Sequence, residues 1–152
     1  MIGSYLDASV IVAIVANEPT RSNVEAALAQ QDSVPVVSDL CHSEASAAIM
    51  RLHRIGRIDQ EALLQMLFRL DDWALVTGDR RTITSTDVDA ATTLVRRHDL
   101  ALRAPDAIHI AAAHRLGTTL LTLDKAMARA AAALGVPCIH PVEAEAPGDP
   151  KD

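Results

Sequence analysis

Aromatic side chains are almost missing from this chain, whose 152 residues hold one Trp, one Tyr and one Phe, at Trp73, Tyr5 and Phe68. Stacking of bases on aromatic faces is therefore excluded as the main grip on any single-stranded nucleic acid. Lysine is scarce as well, with only Lys125 and Lys151, and the formal net charge is −6. A protein that holds nucleic acid through a general basic field is positive, so a polyanion here has to be met by local Arg clusters or by bound metal. Cysteine is limited to Cys41 and Cys138, both in apolar surroundings, which predicts free thiols in a reducing compartment. No apolar run reaches the roughly 18–20 residues that cross a bilayer. No Lys or Arg precedes Arg21, so the basic start of a secretory signal is missing too. The expectation is a cytoplasmic protein with no membrane contact.

Against these gaps stands a chain that is 49% apolar, with a core built from Ala, Leu, Val and Ile. Its length suits one domain, expected over residues 1–142, followed by a polar tail at 143–152, EAEAPGDPKD, expected to be disordered. Strands are expected at 2–6, 34–37, 73–76, 120–123 and 137–139, with Pro35 arguing for an edge or the first residues of its strand. Helices are expected at 8–16, 19–31, 39–52, 59–70, from the TSTD segment (Thr84 to Asp87) to 98, at 105–116 and at 124–134. Ser22 and Glu25 have the spacing of a capping box, Pro105 suits a first helical turn, and Gly117 suits a helix stop. Strands alternating with helices imply a three-layer α/β/α sandwich around a mostly parallel sheet of four to five strands. In such sheets the ligand site lies beyond the carboxyl ends of the strands.

Four acids occupy suggestive places. Asp7 and Asp124 each follow an apolar strand and precede a helix, where capping is the first explanation. Thr122 stands two residues before Asp124, within reach of its carboxylate. Glu44 lies inside a helix among small residues, on one face with Ala48 and Arg51, where a solvated outer position also explains it. Asp106 falls in the first turn of an otherwise apolar helix, where the dipole favours a negative charge. Each has a plain structural account, and spacing alone does not prove that they cluster. Acids gathered in one partly buried pocket would repel one another, and a divalent cation with oxygen ligands would remove that cost.

Taken together, Asp7-Ala8-Ser9, Glu44 in a helix, Pro105-Asp106-Ala107-Ile108-His109 and Thr122-Leu123-Asp124 resemble, in order and spacing, the PIN domain. Within it the chain is most similar to the VapC toxins of bacterial type II toxin–antitoxin pairs, over essentially residues 1–142. The resemblance implies an Mg²⁺-dependent endoribonuclease, with Mn²⁺ as a substitute, whose four acids are Asp7, Glu44, Asp106 and Asp124. Ser9 matches the small residue that supports the first acid, and Thr122 the threonine before the last. It also implies a homodimer held by a VapB-like antitoxin. A further acid found in some PIN nucleases after the last aspartate has no counterpart in Lys125 to Arg129, and Met127 stands where an aromatic is frequent, which leaves one metal versus two open.

On this reading Asp7, Asp106 and Asp124 hold metal directly or through water, and Glu44 completes the shell or orients the attacking water. His109, one turn beyond Asp106, is expected to support that acid or to pack. Arg51, Arg54 and Arg57 recur at i, i+3, i+6, while Arg80, Arg81, Arg96, Arg97 and Arg103 are candidates for the pocket rim, placing phosphate without reading sequence. Cys41-His42 lacks a partner pair at zinc spacing. A phospho-receiver is disfavoured, because strand one yields a single acid and Thr77-Gly78 stands where the phosphoacceptor would be. Two alternatives remain: a PIN nuclease of RNA processing without an antitoxin, and a non-catalytic metal-binding interaction module.

Overall fold

A computed structural model describes residues 3–142. Ile2, the expected start of the first strand, and the 143–152 tail lie outside the described residues. The elements are β1 (Ser4–Leu6), α1 (Ala8–Val15), α2 (Arg21–Ala29), β2 (Val36–Ser38), α3 (Asp39–Arg54), α4 (Gln60–Asp72), β3 (Asp79–Arg81), α5 (Ser85–Val95), α6 (Ala104–Leu116), β4 (Thr119–Leu121), α7 (Lys125–Ala133) and β5 (Cys138–Ile139). All strands are parallel in the order β3-β2-β1-β4-β5, with Tyr5 opposite both Val36 and Leu120. The expected three-layer sandwich is therefore present.

Side-chain alternation along the strands divides the core in two. Leu6, Val37 and Leu121 face helices α1 to α4, packing with Ile11, Ile14, Ile49 and Leu70. Tyr5, Val36 and Leu120 face the other layer, with Ile110, Met127 and Ala131. Every element that carries an expected acid is thereby pressed on the sheet, and β1 and β4 lie side by side at its centre. Pro35 immediately precedes β2, which pairs on both sides and is not an edge.

Helix starts follow polar caps. Asp7, Ser38, Asp59 and Asp124 cap α1, α3, α4 and α7, satisfying amides that would otherwise lack partners. Pro105 lies in the first turn of α6 and Gly117 ends it at φ 64°, a left-handed position suited to glycine. The capping box expected at Ser22 and Glu25 is not formed: Thr20, not Ser22, stands at the cap position of α2, and Glu25 pairs with Arg21 at 2.8 Å instead. A capping box does occur at α5, between Thr84 and Asp87.

One strand was misplaced by its apolar sequence. Trp73–Thr77 is a π-helical turn continuing α4, with Leu75 and Val76 largely exposed. The strand is the charged Asp79–Arg81 that follows, pairing with β2 along the sheet edge. Gly78 makes the switch possible, because a Cβ there would stand 2.7 Å from Val37 Cγ2.

Candidate active site

Asp7 continues the central strand into α1 and is only 4% exposed. Its Oδ1 accepts the Ser9 hydroxyl at 2.6 Å and the Val10 amide at 3.4 Å, while Oδ2 accepts the Thr122 hydroxyl at 2.8 Å. Burial pushes its carboxyl above the ordinary range even though these donors, and His109 nearby, pull the other way. Ser9 reaches further, its Oγ accepting the Leu123 amide at 3.1 Å and tying α1 to the segment after β4. Thr122 supports Asp7 rather than the Asp124 carboxylate expected from the sequence; toward Asp124 it accepts the backbone N–H, at 3.0 Å.

Asp124 caps α7 through Oδ1 alone, which takes the Ala126 and Met127 amides. Asp106, in the first turn of α6, meets the Arg103 guanidinium at 3.1 Å. Glu44 projects from α3 with its side chain one-third exposed, and its Oε1 bonds His109 Nε2. His109, expected to support Asp106 or to pack, is buried and points its ring across to Glu44 on α3 rather than to Asp106.

Asp7, Glu44, Asp106 and Asp124 line one cleft of about 150 Å³, together with Ala8, Ser9, Arg103, His109 and Met127. Residues as far apart as 7 and 124 meet there because β1 and β4 are paired neighbours with aligned carboxyl ends. Of the arginines expected at the rim, Arg103 alone is among the lining residues. Arg81 pairs with Asp79 and Arg97 with Asp99. His42 meets Asp71 on α4 at 2.8 Å, away from the cleft. Tyr5 and Ser38 were not singled out by sequence, yet both bond toward His109 beneath the cleft. Their only signal was period-two spacing, which puts Tyr5 on the same side of β1 as Asp7.

The cleft offers a hard cation oxygen donors and little else. Among the described residues no three His, Cys, Asp or Glu side chains stand close enough to hold a metal ion as they are, since each acid is tied to its own donor. That does not disqualify Mg²⁺, which keeps several waters and takes one or two carboxylates directly. The donor chemistry fits. A larger cleft of about 480 Å³ between α5, α6 and the Leu134–Val136 turn is mostly apolar, and its one carboxylate, Asp87, is engaged by Arg115.

A parallel α/β/α sandwich with four carboxylates at the carboxyl end of its central strands defines the class of protein. A sequence model of the PIN domain matches residues 4–133, and the chain belongs to the PIN-domain family. It is 35% identical over 129 residues to a VapC ribonuclease of Rhizobium meliloti (strain 1021), a match covering 78% of this chain and 91% of the relative. Solved structures share the fold. FitAcB from Neisseria gonorrhoeae superposes with a TM-score of 0.71 at 18% identity, over 91% of this chain and 98% of the other. VapC20 of Mycobacterium tuberculosis, a Sarcin-Ricin loop cleaving toxin, gives 0.66 at 16%, over 90% and 97%.

Proposed function

We propose that the protein is a divalent-metal-dependent endoribonuclease, the toxin of a VapBC-type toxin–antitoxin pair. The observation that carries this reading is the convergence of Asp7, Glu44, Asp106 and Asp124 on one cleft. The VapC ribonuclease relative supports the activity, and a toxin–antitoxin complex from Klebsiella pneumoniae shares the fold at a TM-score of 0.62 and 19% identity. The cation, Mg²⁺ or Mn²⁺, would be held by Asp7, Asp106 and Asp124, directly or through water, with Glu44 beside them in the cleft. When bound, it supplies charge for the phosphoryl oxygen and acidity for a coordinated water.

The chain's own residues divide the remaining work. Ser9 and Thr122 fix both oxygens of Asp7, so the most buried acid keeps one orientation. Glu44, whose side chain is one-third exposed, takes a proton from the attacking water. Arg103 is exposed beside Asp106 and positions the RNA phosphate. The partners that follow are an RNA substrate, a VapB-like antitoxin and a second copy of the chain.

Cleavage of total RNA is the direct test. The wild type with Mg²⁺ is expected to cut, and both EDTA and Asp106→Asn to abolish cutting. Equal cleavage in all three refutes the mechanism. Induction in a bacterial host should arrest growth with the wild type and not with Asp106→Asn, and co-expression of a small antitoxin encoded alongside should lift the arrest.

A further inference from the structure

The buried polar groups beneath the cleft form a single chain. Tyr5 is fully buried on β1. Its Oη lies 2.9 Å from Ser38 Oγ and 2.8 Å from His109 Nδ1, and His109 Nε2 bonds Glu44 Oε1. Ser38 Oγ also accepts the Cys41 amide at 3.0 Å as the cap of α3. Ser38, Tyr5 and His109 are each about 1% exposed or less.

Each member of the chain is engaged on both sides. The Tyr5 hydroxyl donates to Ser38 Oγ, which also accepts the Cys41 amide, and the Tyr5 oxygen meets His109 Nδ1. An ionised Glu44 only accepts, so Nε2 of His109 carries the hydrogen toward it.

We propose that Ser38, Tyr5 and His109 are positioning residues: a buried hydrogen-bond chain that fixes the His109 ring with its Nε2–H toward α3 and thereby orients the Glu44 carboxylate in the cleft. A glutamate on the outer part of α3 would otherwise sample several rotamers. The chain binds β1, the cap of α3, and α6, which are the elements bearing Asp7, Glu44 and Asp106. It rests on the ribonuclease reading, because it assigns these residues a consequence for the cleavage step.

The test joins two readouts on the full-length protein. In ¹⁵N-edited NMR of the metal-free wild type, His109 Nε2 is expected to carry a hydrogen that exchanges slowly with water. In RNA cleavage, Tyr5→Phe keeps the ring and removes the hydroxyl. It should lower kcat about tenfold, the worth of one hydrogen bond, with KM changed by less than about twofold. His109→Gln, which returns an amide donor near Nε2, should retain about tenfold more activity than His109→Ala at a comparable melting temperature. A His109 Nε2 without a bound hydrogen, a Tyr5→Phe enzyme with wild-type kcat, or equal activity in the Gln and Ala variants overturns the proposal while leaving the ribonuclease reading intact. A wild type that does not cut RNA overturns that reading, and the positioning role falls with it. The NMR measurement needs no variant, so a Tyr5→Phe protein that misfolds still leaves a deciding result.

Discussion

Asp7 spends both its oxygens on local donors and is still pushed upward in pKa by burial. The ionised form is thus the less comfortable one in the folded state, and the sign of its effect on stability follows. A carboxyl whose folded pKa exceeds its unfolded value stabilises fully below the unfolded value, about 3.9, and that contribution is lost as pH rises through the folded value. Asp7→Asn removes the charge and keeps the cap, since Asn caps as well as Asp. In EDTA at pH 7.5 the variant is expected to gain about 1 kcal/mol, a rise of a few degrees in Tm, while losing cleavage by about a hundredfold or more. The gain should shrink as pH falls toward the unfolded value, about 3.9, as the wild-type carboxyl takes up its proton. Thermal melts at pH 7.5 and at about pH 3.9 check this; an equal gain at the two would refute the argument.

Among the elements, α5 shows how a helix is docked by a single acid. Asp87 is 1% exposed, completes the capping box with Thr84, and receives both Nε and an Nη of Arg115 on α6, at 2.7 and 2.9 Å. Burial raises its carboxyl, but the Arg115 guanidinium and the Thr84 donors outweigh burial and hold it below the usual range. That stability is present above about pH 4 and is lost as pH falls through the lowered folded value. Asp87→Ala should cost about 2–4 kcal/mol at pH 7, from a lost cap and a broken charge-assisted pair, and much less near pH 3; urea titrations at the two pH values measure it. The sequence holds no hint of this pairing across 28 positions. It did reveal α1, α6 and α7, where an acid or Pro-Asp opens an apolar helix after a strand or loop. It failed at Trp73–Thr77, because an apolar run reads as a buried strand whether or not the chain buries it. The true β3, Asp79-Arg80-Arg81, is an edge strand guarded by charge, which periodicity does not register. The site was legible to the same degree: Asp7 and Asp124 mark the ends of adjacent strands, whereas the bond from His109 to Glu44 spans 65 positions and joins α6 and α3, which lie in opposite layers, across the carboxyl edge of the sheet.

For the molecule as a whole, a net charge of −6 and a cleft of four acids set the terms on which RNA is bound. Long-range attraction is weak, so the grip must be local. The candidates are Arg103 at the cleft and the exposed Arg51, Arg54 and Arg57 at the end of α3 and just beyond it, the helix that carries Glu44. Four phosphate contacts on a single strand release counterions with a slope of about −0.7 each. At fixed Mg²⁺, log kcat/KM against log salt should therefore fall with a slope of about −3. Replacing Arg51 and Arg54 together by Ala should flatten it by about 1.4 with kcat nearly unchanged, because these residues place the strand without touching the reacting atoms. Asp106→Asn, by contrast, should remove the cleavage itself. A slope near zero in the wild type, or one that the double substitution leaves alone, would mean that RNA follows another path across this surface.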